Sequence, residues 1–279
     1  MATTEVVKSR TLLGECSAEF AGTFILILFG VGVVAQVVAG GIGDHDSIAW
    51  AWGIGVTMGV YVSARVSGAH INPAVTIALA AFRGFAWRKV LPYIGAQFLG
   101  AFAAAMVVRW NYSEVLQKFD PGLTIKSQGV FSTLPGNGSV ELGVGMWGGF
   151  LDQIIGTAIL MLVILAIVDL RNTAPAANLG PFMIGLLVVG IGMAWGTLAG
   201  YAINPARDFG PRLASALTGY GGDAFNDQFG DPYFWVPIVG PIIGALIGAF
   251  LYDLLVGRNL PVSDVDEEPG RVPEEETTA

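Results

Sequence analysis

Apolar residues run along this chain in six long stretches, at about 12–39, 47–66, 89–109, 147–168, 179–199 and 233–256. Each is close to the roughly 20 helical residues that cross the hydrocarbon core of a bilayer, so each predicts a membrane-spanning α-helix. Two further segments, about 72–83 and 204–217, are helical in pattern but too short to cross. Both open on the same tripeptide, Asn72-Pro73-Ala74 and Asn204-Pro205-Ala206. Asn suits a helix N-cap and Pro the first helical turn, so the tripeptide starts a helix within about three residues.

The two halves match beyond that tripeptide. Glu19-Phe-Ala-Gly22-Thr23 in the first span corresponds to Gln153-Ile-Ile-Gly156-Thr157 in the fourth, and Thr23 and Thr157 precede their Asn by 49 and 47 residues. Three spans per half is an odd number, so the second half enters the membrane from the opposite side. One half-helix then dips in from each face and the two N-termini meet near the midplane. The non-helical backbone ahead of them, Gly68, Ala69, His70 and Ile71 in one half and Gly200, Tyr201, Ala202 and Ile203 in the other, is tolerated at that depth only where it lines a watery cavity, to which it presents carbonyls. The expected fold is an all-α membrane protein with six transmembrane helices and two re-entrant half-helices in an inverted repeat. A channel domain at 12–257, with repeats at about 12–110 and 145–257, is flanked by an N-terminal segment 1–11 and a tail 258–279.

Composition agrees with this picture. Of 279 residues, 53% are hydrophobic and 13% charged, and mean hydropathy is +0.63, outside the range of ordinary soluble domains. The 39 glycines include Gly240-x-x-x-Gly244-x-x-x-Gly248, a spacing that lets helices approach closely in lipid. A single cysteine, Cys16, excludes an internal disulfide or a cysteine-built metal site. The net charge of −8 is concentrated in the tail, where seven acids between Asp264 and Glu276 face only Arg271. That tail predicts a disordered, acidic segment. Lys8, Arg10, Arg83, Arg88, Lys89 and Arg171 flank the spans on one side, while the first connection carries Asp44 and Asp46. The positive-inside rule therefore puts both termini in the cytoplasm and the loops at 110–146 and 200–232 outside.

With "AEFAGT", "WGIGVTMGVYVSARVSGAHINPAVTIAL", "GTAILM" and "GYAINPARDFGPRLA" in place, the sequence resembles the aquaporin superfamily, and within it the aquaglyceroporin branch and its bacterial glycerol facilitators. The resemblance covers residues 12–257. It implies a passive channel for glycerol and small polyols with some water, in a bacterial inner membrane, as a homotetramer, with no cofactor, no metal and no nucleic-acid partner. Asp208 after Asn-Pro-Ala-Arg, Arg212, and Pro237-Ile238 are of the glycerol-branch type. The resemblance further implies an outer filter of Trp52, Gly192, Tyr201 and Arg207. There, Arg207 supplies a fork of donors, Trp52 and Tyr201 an apolar corner, and Gly192 room.

Each residue also has a plainer reading. Trp52 could anchor at the interface as Trp50 would, Tyr201 could simply pack, and His70 could be a satisfied core histidine rather than a pore-lining group. Glu19 is expected to support its half-helix loop by accepting backbone N–H groups. In the second repeat that place falls to Gln153, with Asp152 beside it as the alternative, and Asp208 is expected to shape its loop. The remaining histidine, His45, is placed in an outer loop. With no nucleophile–base pair and no metal cluster, there are no catalytic residues and an enzyme is not expected. The rival functions are a water-selective channel and, more remotely, an ion-coupled transporter, for which Glu19 and Asp152 would be the acids.

Overall fold

The computed structural model describes residues 11–261. The expectations for the N-terminal segment and for most of the acidic tail fall on 1–10 and 262–279, outside the described residues. Ten α-helices follow one another: α1 Leu12–Val38, α2 His45–Ser67, α3 Pro73–Phe82, α4 Trp87–Asn111, α5 Ser113–Phe119, α6 Ile125–Gln128, α7 Met146–Val168, α8 Gly180–Ala199, α9 Pro205–Ser215 and α10 Val236–Leu255. Six of them, α1, α2, α4, α7, α8 and α10, are long and apolar enough to cross a membrane. The short α3 and α9 are the half-helices. The small helices α5 and α6 in the long 112–145 connection were not legible in the sequence.

Packing follows the duplication. α1 lies against α2 and α4 as α7 lies against α8 and α10, and α2 meets α8 at the centre. The half-helices cross over, α3 packing on α10 and α9 on α4, so each repeat is completed by the other. Glycine sets the separations. A Cβ on Gly53 of α2 would stand 2.6 Å from the Gly185 carbonyl oxygen of α8, and one on Gly185 would stand 2.5 Å from that of Gly53. On α10, a Cβ on Gly244 or Gly248 would meet the carbonyls of Ile154 or Ala158 on α7 at 2.3 and 2.2 Å. Backbone touches backbone at these crossings, the contact that drives association where lipid gives no hydrophobic gain. Large apolar side chains such as Leu13, Leu91, Trp110 and Trp147 point outward, as suits a surface whose solvent is hydrocarbon.

Candidate functional site

The two half-helices begin as their tripeptides require. Asn72 Oδ1 accepts from Ala74 N–H at 2.9 Å, and Asn204 Oδ1 accepts from Ala206 N–H at 3.0 Å and Arg207 N–H at 3.2 Å. The amide end of each side chain reaches across the repeat: Asn72 Nδ2 donates to the Ile203 carbonyl and Asn204 Nδ2 to the Ile71 carbonyl, both at 2.8 Å. The N-termini therefore face each other and are tied reciprocally. One of the two amide hydrogens of each Asn is spent on this tie, which leaves the other for a ligand.

The backbone ahead of each half-helix repeats one conformation. Gly68, Ala69 and Ile71 have φ of 93°, 52° and 41°, and Gly200, Tyr201 and Ile203 have 61°, 36° and 44°. A β-branched residue is rarely left-handed, so Ile71 and Ile203 mark stored strain of the kind that collects at functional sites. Hydrogen bonds hold the strained turns. The fully buried Glu19 accepts from Ser67 Oγ at 2.6 Å and His70 N–H at 2.9 Å on Oε1, and from Ile71 N–H and Gln97 Nε2, both at 2.7 Å, on Oε2. In the second repeat Gln153 Oε1 accepts from Ile203 N–H at 2.8 Å while its Nε2 donates to the Ala199 carbonyl at 3.1 Å. Asp152 is buried, and among the described residues neither of its carboxyl oxygens has a hydrogen-bond partner. Of the two candidates, Gln153 is the one that touches the loop.

Around this centre lies a cavity of about 630 Å³. Its lining includes Leu170, Pro175 and Asn178, the segments Gly68 to Asn72 and Ala202 to Asn204, and Trp52, Tyr201 and Arg207. Of the backbone expected along it, Gly200 does not line it, and the carbonyls of Ile71 and Ile203 are already engaged by the two Asn side chains. His70 is buried and borders the cavity, its Nδ1 facing Thr76 Oγ1 at 3.2 Å and its ring packed on Phe85 and Tyr93. One ring nitrogen is thus satisfied within the fold, and the residue is among those that border the cavity.

At the Trp52 end of the cavity the Arg207 guanidinium lies over the Trp52 ring, 4.0 Å from its centroid, a distance at which cation and ring face attract. Among the described residues the guanidinium makes no hydrogen bond, so its fork of donors is uncommitted. Gly192 does not itself line the cavity, because the Tyr201 ring rests on it; a Cβ there would come within 2.8 Å of that ring. The Tyr201 hydroxyl is buried against the same glycine with no partner among the described residues. The four residues are thus brought together, with Tyr201 standing between Gly192 and the lumen.

Asp208 lies in the first turn of α9 and bonds to the 112–145 connection. Its Oδ2 accepts from the N–H and Oγ1 of Thr133, both at 2.7 Å, and its Oδ1 from Arg212 Nε at 2.8 Å, in a fully buried ion pair. Arg212 also donates to the carbonyls of Ala224 and Thr133, so the connections before α7 and after α9 are pinned to α9.

Three contributors were missed in the sequence. Gly30 of α1 is the floor under Trp52, since a Cβ on it would stand 2.2 Å from the indole. Gln97 of α4 completes the Glu19 cluster. His45 is in the first turn of α2 rather than in a loop, with Nε2 2.9 Å from the Gly192 carbonyl. The capping box of Asp44 and Ser47 was the available signal that α2 starts there.

Comparison with known proteins agrees with this architecture. The family model described as major intrinsic protein matches residues 6–252. The glycerol uptake facilitator proteins of Pseudomonas aeruginosa and Escherichia coli K12 are 46% and 44% identical over 280 residues, in each case covering 96% of this chain and 99% and 98% of the relative. The X-ray structure of the aquaglyceroporin from Plasmodium falciparum superposes with a TM-score of 0.79 at 34% identity, covering 88% of this chain and 97% of that one. By its duplicated helices, its paired half-helices and these likenesses, the chain belongs to the major intrinsic protein family, a family of channels.

Proposed function

We propose that this protein is a passive channel for glycerol and other small neutral solutes, with some permeability to water and none to ions or protons. The observation that carries the reading is the cluster of side chains at the Trp52 end of the cavity. There the unbonded Arg207 guanidinium lies beside the Trp52 ring, with Tyr201 opposite and no side chain at position 192. A polyol has hydroxyls on one edge and CH groups on the other, and this quartet meets both with a donor fork and an apolar corner. The names of the facilitator and aquaglyceroporin relatives support the same substrate class.

Exclusion of charge follows from the centre. Each helix N-terminus is equivalent to about half a positive charge, and two of them facing one spot, with Arg207 beyond, repel cations. An oxygen passing the spare amide hydrogens of Asn72 and Asn204 accepts from both. Its own hydrogens then point away along the axis, which breaks a proton relay.

In this reading residues 12–257 form the channel, His70 and the loop backbone of 68–70 and 201–202 line it, and Glu19, Gln153 and Asp208 support it. Both termini lie in the cytoplasm of a bacterial cell, and four copies assemble as the family resemblance implies.

The test is stopped-flow light scattering on proteoliposomes, with shrinkage in an impermeant osmolyte and re-swelling in glycerol. Fast glycerol re-swelling that survives collapse of proton and sodium gradients is the expected result. Fast water flow with glycerol at the bare-lipid rate would refute the polyol reading in favour of a water channel. Dependence on an ion gradient would point to a coupled transporter.

A further inference from the structure

The Trp52 end of the cavity has two walls, one carried by α2 through Trp52 and the other by the Tyr201 ring, which rests on the glycine backbone of α8 at Gly192. A glycine backbone has no side chain with which to pack itself in place, and α8 has Gly190, Gly192 and Gly196 within two turns. Something else has to hold it. His45 stands seven residues before Trp52 in α2, two turns away and so on the same helix face. Its ring fills the hollow over Gly196, where a Cβ would lie 2.3 Å from its Cε1. Its Nε2 lies 2.9 Å from the carbonyl oxygen of Gly192. A carbonyl only accepts, so this nitrogen carries the hydrogen. Tyr201 leans on the same strip of backbone, touching Gly192 and coming within 3.3 Å of where a Gly196 Cβ would be. From the outer loop, Asn137 Nδ2 donates to the Gly196 carbonyl at 3.0 Å.

We infer that His45 is a positioning residue for solute size. By clamping Gly192 to α2, it fixes the separation between the Trp52 wall and the Tyr201-covered wall of α8, and with it the largest polyol that passes. His45 makes no contact with solute in this role; it acts through the Gly192 backbone. The inference rests on the polyol-channel reading above.

The test compares wild type with His45→Ala, His45→Gln and His45→Asn in proteoliposomes. Glycerol, the four-carbon erythritol and water fluxes are measured, with thermal unfolding alongside. The Gln amide nitrogen sits the same number of bonds from the backbone as histidine Nε2, whereas that of Asn falls one bond short. His45 is exposed at a helix end, so the variants are expected to fold.

Releasing the clamp should raise the erythritol-to-glycerol ratio roughly fivefold in the Ala and Asn variants, the scale of one neutral hydrogen bond. The Gln variant should return to within about twofold of wild type, since it keeps that bond. An unchanged or lower ratio in the Ala variant, failure of Gln to restore it, or equal loss of all three fluxes would overturn the inference while leaving a glycerol-conducting wild type intact. Glycerol at the bare-lipid rate in wild type would defeat the polyol reading itself, and this inference with it, before any variant is compared.

Discussion

Replacing Glu19 by Gln keeps the shape of the side chain and removes one acceptor oxygen, so its cost can be worked from the four hydrogen bonds that the carboxylate receives. Ser67 Oγ and His70 N–H converge on one oxygen, Ile71 N–H and Gln97 Nε2 on the other. However the amide turns, its NH₂ group faces one of these donor pairs. The side-chain donors have alternatives, because the Ser67 hydroxyl also reaches the Ser63 carbonyl at 3.3 Å and Gln97 Nε2 also reaches Thr76 Oγ1 at 3.0 Å. The backbone N–H groups of His70 and Ile71 cannot turn away, so one of them is orphaned in a buried site.

An unsatisfied buried donor costs about 1–3 kcal/mol, and the surviving bonds lose their charge assistance, for a total of about 3 kcal/mol. At about 1.4 kcal/mol per factor of ten this shifts the folding equilibrium roughly 100-fold. The substitution that nature already carries at position 153 is no guide, because there the amide donates to the Ala199 carbonyl. The corresponding Ser67 carbonyl is already taken by the Tyr93 hydroxyl. Equilibrium unfolding in detergent, followed by circular dichroism, reads the stability, and glycerol re-swelling reads the loop. A Glu19→Gln protein within about 0.5 kcal/mol of wild type and with full flux would refute this reasoning, since it would mean that the strained turn at Ile71 needs no charged acceptor.

Gly30→Ala places a methyl 2.2 Å from the Trp52 ring, and overpacking of a rigid ring costs about 1–3 kcal/mol. Glycerol flux should fall with the helical fold intact, and unchanged flux would show that Trp52 does not set the opening. Asp208→Leu strands the fully buried Arg212 and should cost about 3–5 kcal/mol in thermal unfolding, whereas Asp208→Leu combined with Arg212→Leu should cost clearly less. Equal losses would mean that the pair matters through Thr133 alone. Gly192→His with Tyr201→Ala, the smaller residue giving space where a Cβ now meets the ring, should suppress glycerol flux more than water flux. Equal suppression would argue against the filter assignment.

Much of this molecule is written in one dimension. Length and hydropathy fix six spans because a bilayer has one thickness and its backbone groups must bond within the segment. The two Asn-Pro-Ala starts and an odd number of spans per half fix inverted half-helices, since capping is local chemistry and topology is a matter of counting. Span 2 starts two residues ahead of its apolar run, because the Asp44–Ser47 capping box draws His45 and Asp46 into α2.

What only the tertiary structure decided is partnership. Sequence could nominate Asp152 or Gln153 for the second loop, but which of two adjacent buried side chains reaches the loop depends on the rotation of α7, and that is set by its packing on α10. Sequence offered Asn72 and Asn204 as donors to solute, whereas one hydrogen of each is used on the opposite repeat, a bond spanning more than 130 residues. Gly30, Gly192 and His45 are meaningful only against a neighbour from another helix, because a missing side chain has a consequence only where something fills its place. Local rules set the elements of this chain. The spacing of its pore was left to contacts between helices, which depend on where the rest of the chain has gone.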